Sequence, residues 1–121
     1  MATIGLELVD VALIAVRDGV RVAASPGVAL LDPQGLLVGE AAAVSARLKP
    51  VLAVDRFWAD LSQAVDSTAT HADLAHAQLS QLWSAIGRLG DEVVLVVPGT
   101  MRLHQLGLAL GIAMSTCTRR Y

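Results

Sequence analysis

Cysteine is nearly absent: Cys117 is the only one in 121 residues. That excludes an internal disulfide, and with three scattered histidines it leaves no ligand cluster for a metal. Charge is scarce as well. Asp, Glu, Lys and Arg make up 17% of the chain, against roughly 25% in ordinary globular proteins. The net charge is −2 and the basic residues are dispersed, which gives no field to attract nucleic acid or anionic lipid. Long apolar runs are missing too. A membrane-spanning helix needs roughly 18 residues, and the longest helical run, Leu106 to Met114, falls short. The N-terminal apolar stretch carries Glu7 and Asp10 with no basic residue ahead of it, unlike a secretory signal. Neither nucleic acid nor a membrane is an expected partner, and a soluble, cytoplasmic protein is the expectation.

What the chain has in excess is apolar residues, 55% of the total. With so little charge to solvate it, the surface reads as one meant to be covered. The length suits one domain, 1–121, with room for one sheet and its helices. The stretch Ile4 to Val16 is apolar at both parities except at Glu7 and Asp10, the pattern of a central strand covered on both sides. Asp18-Gly19 is a hairpin signal, and it returns the chain through Val20 to Ala24. Ser25-Pro26-Gly27 interrupts that strand, Val28 to Leu31 is extended again, and Asp32-Pro33-Gln34-Gly35 turns it back through Leu36 to Val38. Glu40 to Leu48 predicts a short helix ending at Pro50. Within 51–66, Val51 to Val54 fits a brief strand, and Phe57, Trp58, Leu61 and Val65 fit a helical spacing loosely.

Further on, Ala75, Leu79, Leu82, Ile86 and Leu89 share one helical face after hydroxyl caps at 67–70. Glu92 to Val97 then reads as a buried strand, and Met101 to Met114 as a last helix. The expected architecture is an α/β domain with a mixed sheet. Its first three strands are antiparallel neighbours, and the last lies parallel beside the opening one.

Ser25 to Ala43, SPGVALLDPQGLLVGEAAA, resembles the third-strand hairpin and following helix of the actin-like ATPase superfamily, above all the heat-shock seventy chaperones. Val93 to Pro98 is similar to the chaperone strand that ends in Val-Pro, with Gln105, Gly111 and Ala113 placed as in its next helix, and Ile4 to Leu8 is similar to the opening strand. The resemblance implies a ribonuclease H-like mixed sheet and a single lobe, the first subdomain of a two-lobed fold. In that family the opening strand ends in an acid, then Gly and hydroxyl residues that cradle phosphates while the acid organises magnesium water. Here Glu7 takes the acid position and Leu8, Val9 and Asp10 follow it. Valine does not supply the positive φ that Gly gives, and Asp10 repels a phosphate. The second lobe, with the other phosphate loop and the adenosine pocket, is not in this sequence. Glu7 and Asp10 are therefore expected as a remnant phosphate and magnesium loop, with no cofactor for this chain alone, and ATP with magnesium only if a second lobe completes the site. The bland alternative for Glu7 is an acid near a strand end, solvated or paired.

No catalytic constellation appears. His71 and His76 lie five apart, off the i, i+4 spacing of a helical metal pair. His104 has no nucleophile near it in sequence, and Cys117 reads as a free thiol. The last helix is apolar on two sides: Leu103, Leu106, Leu110 and Ala113 form one stripe, and Met101, Leu108 and Ile112 another, with Gly107 and Gly111 between. The second stripe, with the two glycines, is expected as an interface for a homodimer or another protein, against the plainer reading of singly exposed apolar side chains. The expected function is a non-catalytic, single-lobe relative or fragment of an actin-like ATPase that acts through protein contacts. The alternative is half of a split ATPase.

Overall fold

The computed structural model describes residues 3–9, 12–32, 35–59, 61, 70–87 and 92–117. The apolar N-terminal stretch is two strands, β1 (Thr3–Val9) and β2 (Ala12–Arg17), paired antiparallel from Ile4↔Arg17 to Val9↔Ala12. The single strand expected over Ile4 to Val16 is thus corrected to a hairpin. Length explains the outcome. Thirteen extended residues reach about 43 Å, longer than the roughly 34 Å diameter of a domain this size. Folding back also gives the stretch an alternation that its composition hides. Ile4, Leu6, Leu8, Leu13 and Ala15 are fully buried, whereas Gly5, Glu7, Val9, Ile14 and Val16 are half-buried.

The turn at Asp18-Gly19 has positive φ at both residues, 51° and 81°, the requirement of a tight hairpin turn that follows strand twist. It leads into β3 (Val20–Pro26), antiparallel to β2 with a register shift between Ala15 and Val16. β7 (Glu92–Val96) pairs parallel with β1, so the sheet order is β3-β2-β1-β7. The expected parallel partner of the opening strand is therefore in place.

The next strands do not join this sheet. β4 (Val28–Asp32), β5 (Gly35–Val38) and β6 (Ala53–Asp55) form a second, antiparallel sheet in the order β5-β4-β6. Pro26 has no N–H to extend a ladder, and the chain changes sheets directly after it. Hence Val28 to Leu31 is not a third neighbour in the first sheet, contrary to expectation. Gly39 closes the β4–β5 hairpin onto α1 (Glu40–Ala46), its N–H donating to the Val28 carbonyl at 3.0 Å. At φ 69°, and with room for a Cβ denied by Ser25 Oγ only 2.6 Å from where it would stand, position 39 accommodates only glycine. A short 3-10 turn, Pro50–Leu52, precedes β6.

Two long helices cover one face of the first sheet. α2 (His71–Ile86) starts at a capping box in which the Thr70 hydroxyl accepts from the Asp73 N–H while the Asp73 carboxylate accepts from the Thr70 N–H. It buries Leu74, Ala75, Gln78, Leu79 and Leu82 and packs against β3 and α3 (Leu103–Cys117). Ala109, Ile112 and Ala113 of α3 complete the same core, which extends through Ala29, Val38, Phe57, Trp58 and Leu61 into the second sheet. Gln105 Nε2 donates to the Ala59 carbonyl at 2.6 Å and ties α3 to that region.

One polar group sits inside this core. Gln78 is fully buried; its Oε1 accepts from Trp58 Nε1 at 2.7 Å, and its Nε2 donates to Ser25 Oγ at 3.0 Å and to the Pro26 carbonyl at 2.8 Å. One amide thus links α2, the end of β3 and the segment after β6. Gln78→Leu keeps the volume but orphans the indole N–H and a buried carbonyl, so urea unfolding should show about 2 to 4 kcal/mol lost. An unchanged midpoint would show that water replaces the amide. At the end of α3, burial pushes the Cys117 thiol up from 9.0 to about 11. The unfolded chain then loses its thiol proton first, so stability should fall as pH rises from about 9 to 11. Cys117→Ser should remove that part of the slope in urea titrations at pH 8 and pH 10.

Candidate functional site

Parallel strands leave a crevice at their carboxyl ends, where open α/β sheets hold ligands. Here the ends of β1 and β7 border a cleft of about 330 Å³ lined by Glu7, Leu8, Val9, Val96, Val97, Pro98 and Thr100. Among the described residues its polar side chains are one carboxylate and one hydroxyl in an otherwise apolar wall. Glu7 lies on the open face of the sheet, between Ile14 of β2 and Val96 of β7 in register, and is half-buried.

The resemblance places a glycine and hydroxyl loop at Leu8 and Val9, but both residues continue β1. They pair with Leu13 and Ala12, and Leu8 is fully buried. In a strand successive amides point to opposite sides, so those of Leu8 and Val9 do not converge on a phosphate as a binding loop or nest requires. Asp10, the other residue assigned to the remnant loop, lies outside the described residues. Among the described residues no group of three or more His, Cys, Asp or Glu is placed to hold a metal. His76 and His104 are exposed, His71 is half-buried, and Cys117 is a half-buried thiol held in its neutral form.

α3 is apolar on two sides, and burial divides both of the expected stripes. Ile112 is buried, and Met101 and Leu108 pack partly against the core, so this stripe faces inward. Leu103 is 84% exposed and Leu110 44%, with Gly107 and Gly111 exposed beside them. Ala113 of the Leu103 stripe is buried beside Ala109 and Leu106 is half-buried, so Leu103 and Leu110 are the members of that stripe left in solvent. The glycines expected between the stripes belong to the outer face. Leu103 and Leu110 are thus the interface candidates that the pattern of large apolar residues alone missed; the signal was the placement of alanines against glycines.

A second apolar surface accompanies it. The face of the four-stranded sheet turned away from α2 and α3 carries Val22, Val94 and Val96, each more than 40% exposed, beside the half-buried Ile14 and Val16. Among the described residues no helix is long and apolar enough to cross a membrane.

No protein-family model matches the chain, and no curated protein matches it. Solved structures do. A non-polymerising MamK mutant bound to AMPPNP aligns with a TM-score of 0.67 at 16% identity, over 96% of this chain and 38% of that one. The MamK double helical filament aligns with a TM-score of 0.62 at 16% identity, over 95% of this chain and 38% of that one. The chain therefore spans well under half the length of the MamK chains it matches, and at this identity the likeness concerns the fold. That fold, a mixed sheet of antiparallel and parallel strands with covering helices, is the one found in part of an actin-like ATPase.

Proposed function

We propose that this chain is a non-catalytic module on an actin-like scaffold that works by self-association through the outer face of α3. The observation that carries the proposal is the pair Leu103 and Leu110, exposed on one face with Gly107 and Gly111 beside them. Burying a fully exposed leucine contributes about 1.5 to 3 kcal/mol; with Leu110 already more than half buried, four leucines across a twofold axis supply about 4 to 8 kcal/mol. Association itself costs roughly 4 to 15 kcal/mol. The stripe makes a homodimer feasible, and glycines opposite each other allow the helices to approach. The MamK filament supports the reading as a precedent for assembly on this fold. The cleft supports the non-catalytic half of it, since Leu8 and Val9 stay in β1 where a phosphate loop would need converging amides.

A second reading is favoured by the position of that cleft. It opens at the carboxyl ends of β1 and β7 with Glu7 in its wall, and a MamK mutant on the same fold was solved with AMPPNP bound. In that reading the chain is half of a split ATPase, and a second lobe supplies the phosphate donors and Glu7 faces the magnesium.

Calorimetric titration of ATP with magnesium into the chain should give no binding in the micromolar range; micromolar binding would favour the split ATPase instead. Light scattering should give a dimeric mass at micromolar concentration. Replacing Leu103 and Leu110 together by Lys should yield a folded monomer, whereas Ile112→Lys should unfold the domain because that side chain is buried. A monomeric wild-type chain overturns the self-association reading.

A further inference from the structure

The two edges of the four-stranded sheet are built differently. β3, at one edge, carries the devices that discourage pairing with another strand: Arg21, a register irregularity against β2, and Pro26 at its end. β7, at the other, has no register irregularity and no proline, and its one charge is Glu92 at its first position. Its sequence is Glu-Val-Val-Leu-Val, its register against β1 runs unbroken from Thr3↔Glu92 to Glu7↔Val96, and among the described residues no strand pairs with its outer side. An edge of this kind presents a row of backbone donors and acceptors to any extended partner.

α2 packs against β3, at the other edge of the sheet, and α3 packs against α2; on the arrangement inferred next, α3 sits on the β7 side of α2. Resting on the self-association reading, we infer that β7 pairs antiparallel with β7 of a second copy of this chain, across a twofold axis through Val94, to make one continuous eight-stranded sheet.

The strand is self-complementary in that register. Val94 meets the partner's Val94, Val93 meets the partner's Leu95, and Glu92 meets the partner's Val96. Inward residues thus oppose inward ones, and both helix layers fall on one side. The two Glu92 carboxylates end up four residues apart along the strands, roughly 13 Å, beyond the screening length of about 8 Å at physiological salt. A strand pair of five residues is small against the roughly 800 Å² per partner of a stable interface. The outer stripes of α3 supply the remainder. Strands sit about 4.8 Å apart and a helix is about 10 Å wide, so with α3 on that side the two α3 helices become neighbours above the new strand pair.

Sedimentation velocity on the full chain tests the register through side chains that point to solvent. Val94→Lys sets two like charges directly opposite each other and should weaken the dimer by roughly tenfold or more. Val94→Glu should do the same, and an equimolar mixture of the two variants should recover association at the wild-type level. Val96→Lys places a cation opposite the partner's Glu92 twice over and should leave the dimer as tight as wild type or tighter. A dimer indifferent to Val94→Lys but broken by the double Leu103 and Leu110 substitution overturns the strand pairing and leaves the helix-mediated dimer standing. Equal loss with Val94→Lys and Val96→Lys, without rescue in the charge-swapped mixture, overturns it in favour of sheet faces packed on each other. A monomeric wild type overturns both this inference and the reading beneath it. Loss of folding by Val94→Lys alone would show in circular dichroism, and the Val94→Glu variant with Val96→Lys then decides between these outcomes.

Discussion

Two helices on one side of a four-stranded sheet leave its other side bare, and the rest of the structure answers to that constraint. Ile4, Leu6 and Leu8 of β1 and Leu13 and Ala15 of β2 disappear into the core beneath α2 and α3. The residues between them, Gly5, Glu7, Ile14 and Val16, remain half-buried on a face with no helix over it among the described residues. Sheets with one solvated face ordinarily alternate apolar and polar along each strand. This one does not, and the low charge content of the chain is concentrated in effect on that omission. The apolar far side and the apolar outer stripe of α3 are two expressions of one property: the domain has more hydrophobic surface than its own helices cover.

Joining the two sheets requires a different kind of contact. The chain leaves the first sheet at Pro26 and begins the second at Val28, so the junction spans one residue and is held by Gln78 from above. An amide that accepts from Trp58 and donates to Ser25 and Pro26 satisfies groups that hydrophobic packing alone would strand. Gly39 approaches the same Ser25 hydroxyl from the end of the β4–β5 hairpin. The placement of the second sheet against the first therefore rests on directional contacts, whereas the helices rest on area. That division makes the junction the place where a single amide can matter as much as a buried leucine.

Much of this was legible in the residues. Asp18-Gly19 marks its hairpin because both positions need positive φ, Asp32 to Gly35 marks the second, and the periodicity of Leu79 and Leu82 marks α2. The parallel placement of Glu92 to Val96 beside β1 also followed from the order of elements. The break between β1 and β2 did not. No Gly, Pro or Asn signals it, and apolar residues on the open face erase the alternation that would have separated two strands from one. Which side of α3 faces outward was not legible, because both stripes are apolar and its most deeply buried residues are the small Ala109 and Ala113. The switch of Val28 into a second sheet depends on long-range pairing with β6, whose three residues carry almost no local signal. Of the candidate site, the departure from a phosphate loop at Leu8 and Val9 was readable as chemistry. That those residues prolong the strand was visible only in three dimensions.

That prolongation bears on what the cleft can become. For β1 to end at Glu7 and turn into a loop, the pairs Leu8↔Leu13 and Val9↔Ala12 would have to separate, and Leu8 would have to leave the core. Exposing one fully buried leucine costs about 1.5 to 3 kcal/mol, before any ladder bond is broken. A phosphate would have to repay that through amides aimed by residues that lack the freedom of glycine. A second lobe could bring donors of its own to the cleft, but it could not relieve this cost, which arises entirely within the first hairpin. The β1–β2 hairpin at the centre of the four-stranded sheet is thus held in its extended form by its own core contacts.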